Sequence, residues 1–268
     1  MLTTAIKEIE KGYVQGPFGK LHYWTIGSGE AFFLIHQSSS SSEEYAGLVP
    51  YLKDRYQLIS FDWPGHGNSD DPAFELGVEE YTKAAITVLD HLKIEKCHIL
   101  GHHGGALLAM NIAHLQAHRV SKIIFSGTSG PKTKQESEAF KKNLPIKRHH
   151  ELEKDGSSLL STWKRFVQYL PNSGTMDVLI PFLNTMWSKL RPYDAHYGVL
   201  GWNRNPALQS LKCPVLLIQG ENDTFVSRQE KLLELIPNSE RVTIPKGGAF
   251  LFYELPEKCT EVIRDFLQ

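Results

Sequence analysis

Hydrophobic residues along this chain recur in two patterns. Ala31-Phe32-Phe33-Leu34-Ile35 is an unbroken apolar run, and Tyr56–Phe61, Val120–Ser126 and Val215–Gln219 resemble it in length and β-branched or aromatic content. Runs of this kind predict central strands of a parallel sheet covered on both faces. Between them lie segments with helical spacing: Glu43–Lys53, an amphipathic Val78–Leu92, a series Ala106, Leu107, Ala109, Met110 and Ala113, then Arg228–Leu235 and Pro256–Phe266. Lys11–Ile26 alternates in strand fashion around Gly16-Pro17-Phe18-Gly19, which predicts an opening hairpin, and Arg241–Ile244 predicts a last strand. Strands alternating with helices make the fold class α/β, a mostly parallel sheet with helices on both faces.

From about Thr128 to Asn205 the pattern changes to polar, proline-interrupted helical pieces carrying Trp163, Phe166, Tyr169, Phe182, Trp187, Tyr193 and Tyr197. The expected division is a core of residues 1–127 and 206–268 with a helical insert, 128–205, after the sixth strand.

The chain is organised around Cys97–Ala113, where the apolar Ile99-Leu100 enters Gly101-His102-His103-Gly104-Gly105 and a helix leaves it. Small residues at the first and fifth positions permit a strand and a helix to approach at a strained turn that pushes the third residue outward. This stretch resembles the G-x-S-x-G nucleophile elbow of the α/β-hydrolase superfamily, with His103 where that family has serine. Asp62-Trp63-Pro64-Gly65-His66-Gly67-Asn68-Ser69 is similar to the superfamily's D-x-P-G-x-G-x-S segment. The resemblance implies an α/β-hydrolase fold with the 128–205 insert as a cap that roofs the pocket and makes it apolar. It also implies oxyanion donors at the backbone of Ser38 and Gly104, and a triad acid at Asp223 in G-E-N-D. Gln37 replaces a usual glycine and crowds the pocket. The family's histidine slot falls on Ala249 in Ile244-Pro245-Lys246-Gly247-Gly248-Ala249-Phe250, and no shift of register restores it, because His196 is the last histidine of the chain. Two of the three triad members are absent.

An elbow histidine sits above a helix N-terminus, which disfavours the imidazolium, whereas a nearby Asp223 favours it; the sequence leaves the balance open. Imidazole reaches further than a serine hydroxyl, and the expected pairing is a His103–Asp223 dyad in the space left by Ala249. His102 and His36 are expected to pack and to shape loops, His36 at the rim of the pocket, and Asp62 and His66 to hold the turn. A metal site built from His36, His103 and Asp223 is an alternative, although no ligand spacing of a metal motif supports it.

Twenty-nine basic and 30 acidic residues in 268 leave a net charge of -1, so no global field favours nucleic acid or an anionic membrane. The expected partner is a small molecule, no cofactor is expected, and the oligomeric state is left open. Cys97, Cys213 and Cys259 are too few and too scattered for a disulfide framework, and no apolar run reaches the ~20 residues that span a bilayer, so a cytoplasmic location is expected. Two functions stand against each other. One is an enzyme using His103 as general base on a small apolar or carbonyl-containing substrate, by hydrolysis or C–C cleavage; the other is a relative that binds a ligand without catalysis.

Overall fold

In the computed structural model of the chain, residues 8–143, 153–170, 173–193 and 195–268 are described. The start of the N-terminal stretch (1–7), and 144–152, 171–172 and 194 of the expected 128–205 insert, lie outside the described residues. Eight strands form a single sheet: β1 (Glu10–Gly16), β2 (Gly19–Ile26), β3 (Glu30–Ile35), β4 (Tyr56–Phe61), β5 (Cys97–His102), β6 (Val120–Ser126), β7 (Val215–Gly220) and β8 (Ser239–Ile244). Their order is β1-β2-β4-β3-β5-β6-β7-β8. The hairpin β1–β2 and the β2–β4 pair are antiparallel, and every other pairing is parallel.

Eleven described helices accompany the strands: α1 (Val49–Leu52), α2 (Val78–His91), α3 (Gly104–Leu115), α4 (Lys134–Asn143), α5 (Ser157–Tyr169), α6 (Thr175–Lys189), α7 (Ala195–Leu200), α8 (Asn205–Gln209), α9 (Gln229–Leu235), α10 (Leu251–Glu254) and α11 (Pro256–Leu267). The helices α4 to α7 all fall between β6 and β7. Each central strand buries both faces. Phe33, Ile35, Ile99, Ile123, Phe125 and Leu217 pack with α2, α3 and α9, while Phe32, Leu34, Leu100, Ile124, Leu216 and Ile218 pack with α1 and α11. At ~1.5 to 3 kcal/mol for each fully buried large side chain, these two layers dominate the folding free energy. Helix α3 is buried from Gly104 to Ala113, which explains its mostly apolar composition, and its buried Asn111 donates to Thr82 Oγ1.

One expected helix, Glu43–Lys53, is broken. A 3-10 turn (Ser42–Tyr45) and the short α1 replace it. Pro50 has no N–H to donate to the turn before it, and a Cβ on Gly47 would stand 3.0 Å from Pro256 Cβ and 3.2 Å from the Phe252 oxygen, which leaves glycine, a poor helix former, at that position. In the 3-10 turn Glu44 points inward, where it is 1% exposed. Among the described residues no helix is long and apolar enough to cross a membrane, and the three cysteines are free.

The parallel register brings the functional loops together. Ile35 pairs with Gly101, His102 with Ser126, Ser126 with Ile218 and Gly220 with Ile244. The carboxyl ends of β3, β5, β6, β7 and β8 therefore lie side by side, and the residues after them share one edge.

Candidate active site

The elbow follows directly from its glycines. A Cβ on Gly101 would lie 2.3 Å from the Gly105 carbonyl oxygen, and one on Gly105 would lie 2.1 Å from the Ile35 oxygen, so neither position accepts a side chain. The chain turns at His103, which takes φ 46° and ψ -107°, a left-handed conformation costing a non-glycine residue ~1 to 3 kcal/mol. Strain of this kind persists where the surrounding packing fixes the residue, and here it lifts the imidazole above the first turn of α3.

His103 Nε2 donates to Asp223 Oδ2 at 2.8 Å, and Asp223 Oδ1 accepts the Phe225 N–H at 2.8 Å. The carboxylate, 2% exposed, thus has a donor on each oxygen, while the His103 side chain remains 17% exposed toward a cavity. Among the described residues no hydrogen bond to its Nδ1 is formed. Burial opposes the imidazolium, but Asp223, by its charge and its hydrogen bond, and Glu44 at longer range outweigh it and hold His103 above its ordinary 6.5. Burial likewise opposes the Asp223 carboxylate, yet His103 and the Phe225 amide bring Asp223 below its ordinary 3.8. Of the opposed influences on the elbow histidine, the carboxylates prevail over burial.

A residue outside the sequence reading makes this contact possible. Gly127, just past β6 with φ 59°, lies so close that a Cβ there would stand 2.1 Å from His103 Cδ2, 2.3 Å from Nε2 and 2.8 Å from Asp223 Oδ2. The only hint in the sequence is its place immediately after a predicted strand.

Ser38 and Gly104 are neighbours. The Ser38 nitrogen is 3.3 Å from where a Gly104 Cβ would be, and the Gly104 N–H, at the first turn of α3, has no partner within the helix. Gln37 lines the cavity; its backbone N–H donates to Glu44 Oε2 at 3.1 Å, and its Nε2 is buried without a partner. Ala249 also lines the cavity, 7% exposed beside Phe250.

His36, His102 and His66 each make contacts of their own. His36 donates from Nδ1 to the Gln37 carbonyl at 2.7 Å, accepts the Trp63 N–H at Nε2 and stacks on the Trp63 ring. It is fully buried and does not reach the cavity, which corrects its expected place at the rim, and with both nitrogens engaged it cannot complete a metal set with His103 and Asp223. The ligand atoms that do converge, within 4.8 Å of one another, belong to His102, His103 and Asp223. His102 Nδ1 donates to Glu44 Oε1, and its Nε2 is buried without a partner. Burial and the adjacent His103 lower His102 despite Glu44, so His102 is a neutral donor to an ionised Glu44, its ring centre 4.3 Å from that of His103 and the two rings tilted by 51°. Burial lowers His66 to about 3; it donates to the Pro64 carbonyl and accepts the Ser39 N–H. Asp62 collects His22 Nδ1, Ser42 N and Asn68 N, and these donors overcome burial to bring it to about 2. Both groups hold the turn.

The cavity, about 340 Å3, lies between the carboxyl edge of the sheet and α5, α6 and α7. Phe166, Tyr169, Phe225 and Phe250 form its apolar wall, but Thr162, Arg165, Thr185, His196 and Thr224 also line it. Apolar groups make up the larger part of the lining, with polar side chains among them, while Trp163 and Phe182 pack against Phe166 and Trp187 is 56% exposed. A smaller recess of about 90 Å3 continues inward past His103 to Ser129, Val199 and Leu200.

Residues 30–256 match the family model described as the alpha/beta hydrolase fold. Over 93% of this chain and 92% of the relative, the sequence is 27% identical to 2-hydroxy-6-oxononadienedioate/2-hydroxy-6-oxononatrienedioate hydrolase 2 of Pseudomonas putida. It is 24% identical to (E)-2-((N-methylformamido)methylene)succinate hydrolase of Acinetobacter baylyi, over 92% and 94% of the two chains. The crystal structure of the enol-lactonase from Burkholderia xenovorans superposes with a TM-score of 0.74 at 18% identity, covering 96% of this chain and 99% of that one, a likeness of fold.

Proposed function

The chain belongs to the α/β-hydrolase fold family, and within it we propose that this protein is an enzyme that adds water to a carbonyl carbon without a serine nucleophile, using His103 as general base. The observation that carries the reading is the 2.8 Å contact from His103 Nε2 to Asp223 Oδ2 at the edge of the cavity. In the neutral ring that contact keeps the proton on Nε2, which leaves the basic lone pair on Nδ1. Nδ1 takes a proton from water, and the water oxygen forms its bond to the carbonyl carbon. The carbonyl electron pair moves onto oxygen, between the amides of Ser38 and Gly104. On collapse of the adduct the bond to the leaving group breaks, and the imidazolium, stabilised by Asp223, returns its proton to that group. A leaving alkoxide makes the reaction ester or lactone hydrolysis; a leaving stabilised carbanion makes it C–C cleavage. The relative at 27% identity is named for a hydrolase of oxo compounds, which supports a carbonyl substrate. On the same reading residues 128–205 are the cap over a core of 1–127 and 206–268.

The test is turnover of activated esters, lactones and 2-hydroxy-6-oxodienoates by the unmodified protein, by His103→Gln and by Asp223→Asn. Loss of a general base costs ~100-fold to ~10,000-fold in rate, and that loss is expected for His103→Gln. Turnover unchanged in His103→Gln overturns the reading. Binding of these compounds without turnover in the unmodified protein favours a non-catalytic ligand-binding role, and loss of turnover on chelation favours a metal held by His102, His103 and Asp223.

A further inference from the structure

Behind the wall of the inner recess lies a guanidinium without a counter-ion. Arg204 is 1% exposed; its Nη1 donates to Ser129 Oγ, its Nη2 to the Leu200 carbonyl at 3.4 Å, and its Nε has no partner. No carboxylate among the described residues pairs with it. The charges it interacts with are two cations, Arg228 and Lys132, and Glu136, which is exposed and held by Thr133. Lys132 Nζ is engaged with the Leu200 carbonyl and the Phe140 ring. Burial and Arg228 lower Arg204 to about 10, so it is charged at neutral pH in a setting that disfavours the charge. A buried ion left unpaired is strongly unfavourable, and an anion in the adjoining recess would compensate it.

Ser129 connects the two. Arg228 Nη1 donates to its carbonyl at 3.0 Å and Arg204 donates to its hydroxyl oxygen, so the residue is held between two guanidiniums. Because that oxygen already accepts from Arg204, the hydroxyl proton is available for donation, polarised by the cation behind it. Ser129 lines the recess together with Gln37 and Ser38, whose Nε2 and Oγ are buried without partners. Three donors thus border a space of about 90 Å3, and Asp223, the nearby carboxylate, is already engaged by His103.

We propose that the inner recess is a carboxylate subsite, and that the substrate is a small oxo acid whose carboxylate accepts from Ser129, with Arg204 as a positioning residue behind it. The volume suits a carboxylate and one or two carbons, which leaves the reacting carbonyl beside His103 and the rest of the molecule in the larger cavity. The order of groups along the substrate rests on the function proposed above. The binding itself does not.

The experiment measures binding of 2-oxobutanoate and succinate against their uncharged amides by calorimetry and by thermal shift, in the unmodified protein, Ser129→Ala and Arg204→Met. The acids are expected to bind at least ~10-fold more tightly than the amides, and Ser129→Ala is expected to remove most of that difference while retaining the fold. Arg204→Met is expected to abolish it; if this variant does not fold, Ser129→Ala decides alone. Equal affinity for acid and amide, or an acid preference untouched by Ser129→Ala, overturns the subsite. A protein that binds acids and turns over nothing sinks the catalytic reading and leaves the subsite intact, whereas equal turnover of acids and amides does the reverse.

Discussion

His103 Nε2 donates to Asp223 Oδ2 at 2.8 Å across a gap that Gly127 keeps open and that Ala249 does not fill. Without a third residue between them, the elbow side chain itself becomes the partner of the acid. A buried carboxylate left short of donors would cost ~1 to 3 kcal/mol or more, and the longer side chain at the elbow removes that cost.

The first prediction concerns pH. The base is the neutral imidazole, and Asp223 holds its pKa above 6.5, so the rate is expected to rise with pH through a limb lying above 6.5. In Asp223→Asn the main charge that raises His103 is gone, leaving Glu44 at longer range, while burial, which lowers it, remains. The limb moves to lower pH and the plateau rate falls. In stability the pair acts the other way: His103 contributes fully below 6.5 and loses its contribution as pH rises through its raised pKa, and Asp223 contributes above 3.8 and loses it as pH falls. Denaturant melts of the parent and Asp223→Asn are therefore expected to differ most between these values.

A second prediction follows from the elbow chemistry. Fluorophosphonate is expected to leave the elbow unlabelled, because no hydroxyl nucleophile stands there. The double change His103→Ser with Ala249→His rebuilds a serine–histidine pair beside Asp223 and the Ser38 and Gly104 amides, and p-nitrophenyl acetate hydrolysis above the parent is the expected gain. A folded double variant with no gain would mean that Gln37 blocks the approach to those amides.

Gly127→Ala supplies a third. Its Cβ would stand 2.1 Å from His103 Cδ2 and 2.8 Å from Asp223 Oδ2, and a φ of 59° costs an alanine ~1 to 2 kcal/mol. The expected variant folds with a lowered melting temperature and loses at least ~100-fold in rate as the dyad is pushed apart. Retained activity would show that catalysis does not need the contact.

Asp62→Asn tests the turn rather than the site. Asp62 is brought to about 2 from 3.8, so its stabilisation, on the order of 2 kcal/mol, is present above pH 3.8 and lost as pH falls toward 2. The variant is expected to be less stable at neutral pH, and its stability to fall less between pH 4 and 2, in urea melts at each pH.

The order of strands and helices, the elbow and the turn held by Asp62 were legible in the sequence, because each rests on local rules: runs of apolar residues, glycines where backbones touch, and short-range donors to a carboxylate. Even the candidate pair His103 and Asp223 was within reach, since parallel strands place the residues after them on one edge. What the sequence by itself left open was decided by contacts between segments distant along the chain. Glu44 turns inward in the 3-10 turn that replaces part of an expected helix, where it holds His102 and adds to the charge that raises His103. His36 faces Trp63 rather than the cavity, and Arg204 is sealed behind Ser129, 75 residues away in sequence. The charge state of the elbow histidine and the polarity of the pocket sum over such neighbours. Electrostatic and desolvation energies depend on distance and burial in three dimensions, and only the tertiary structure sets those.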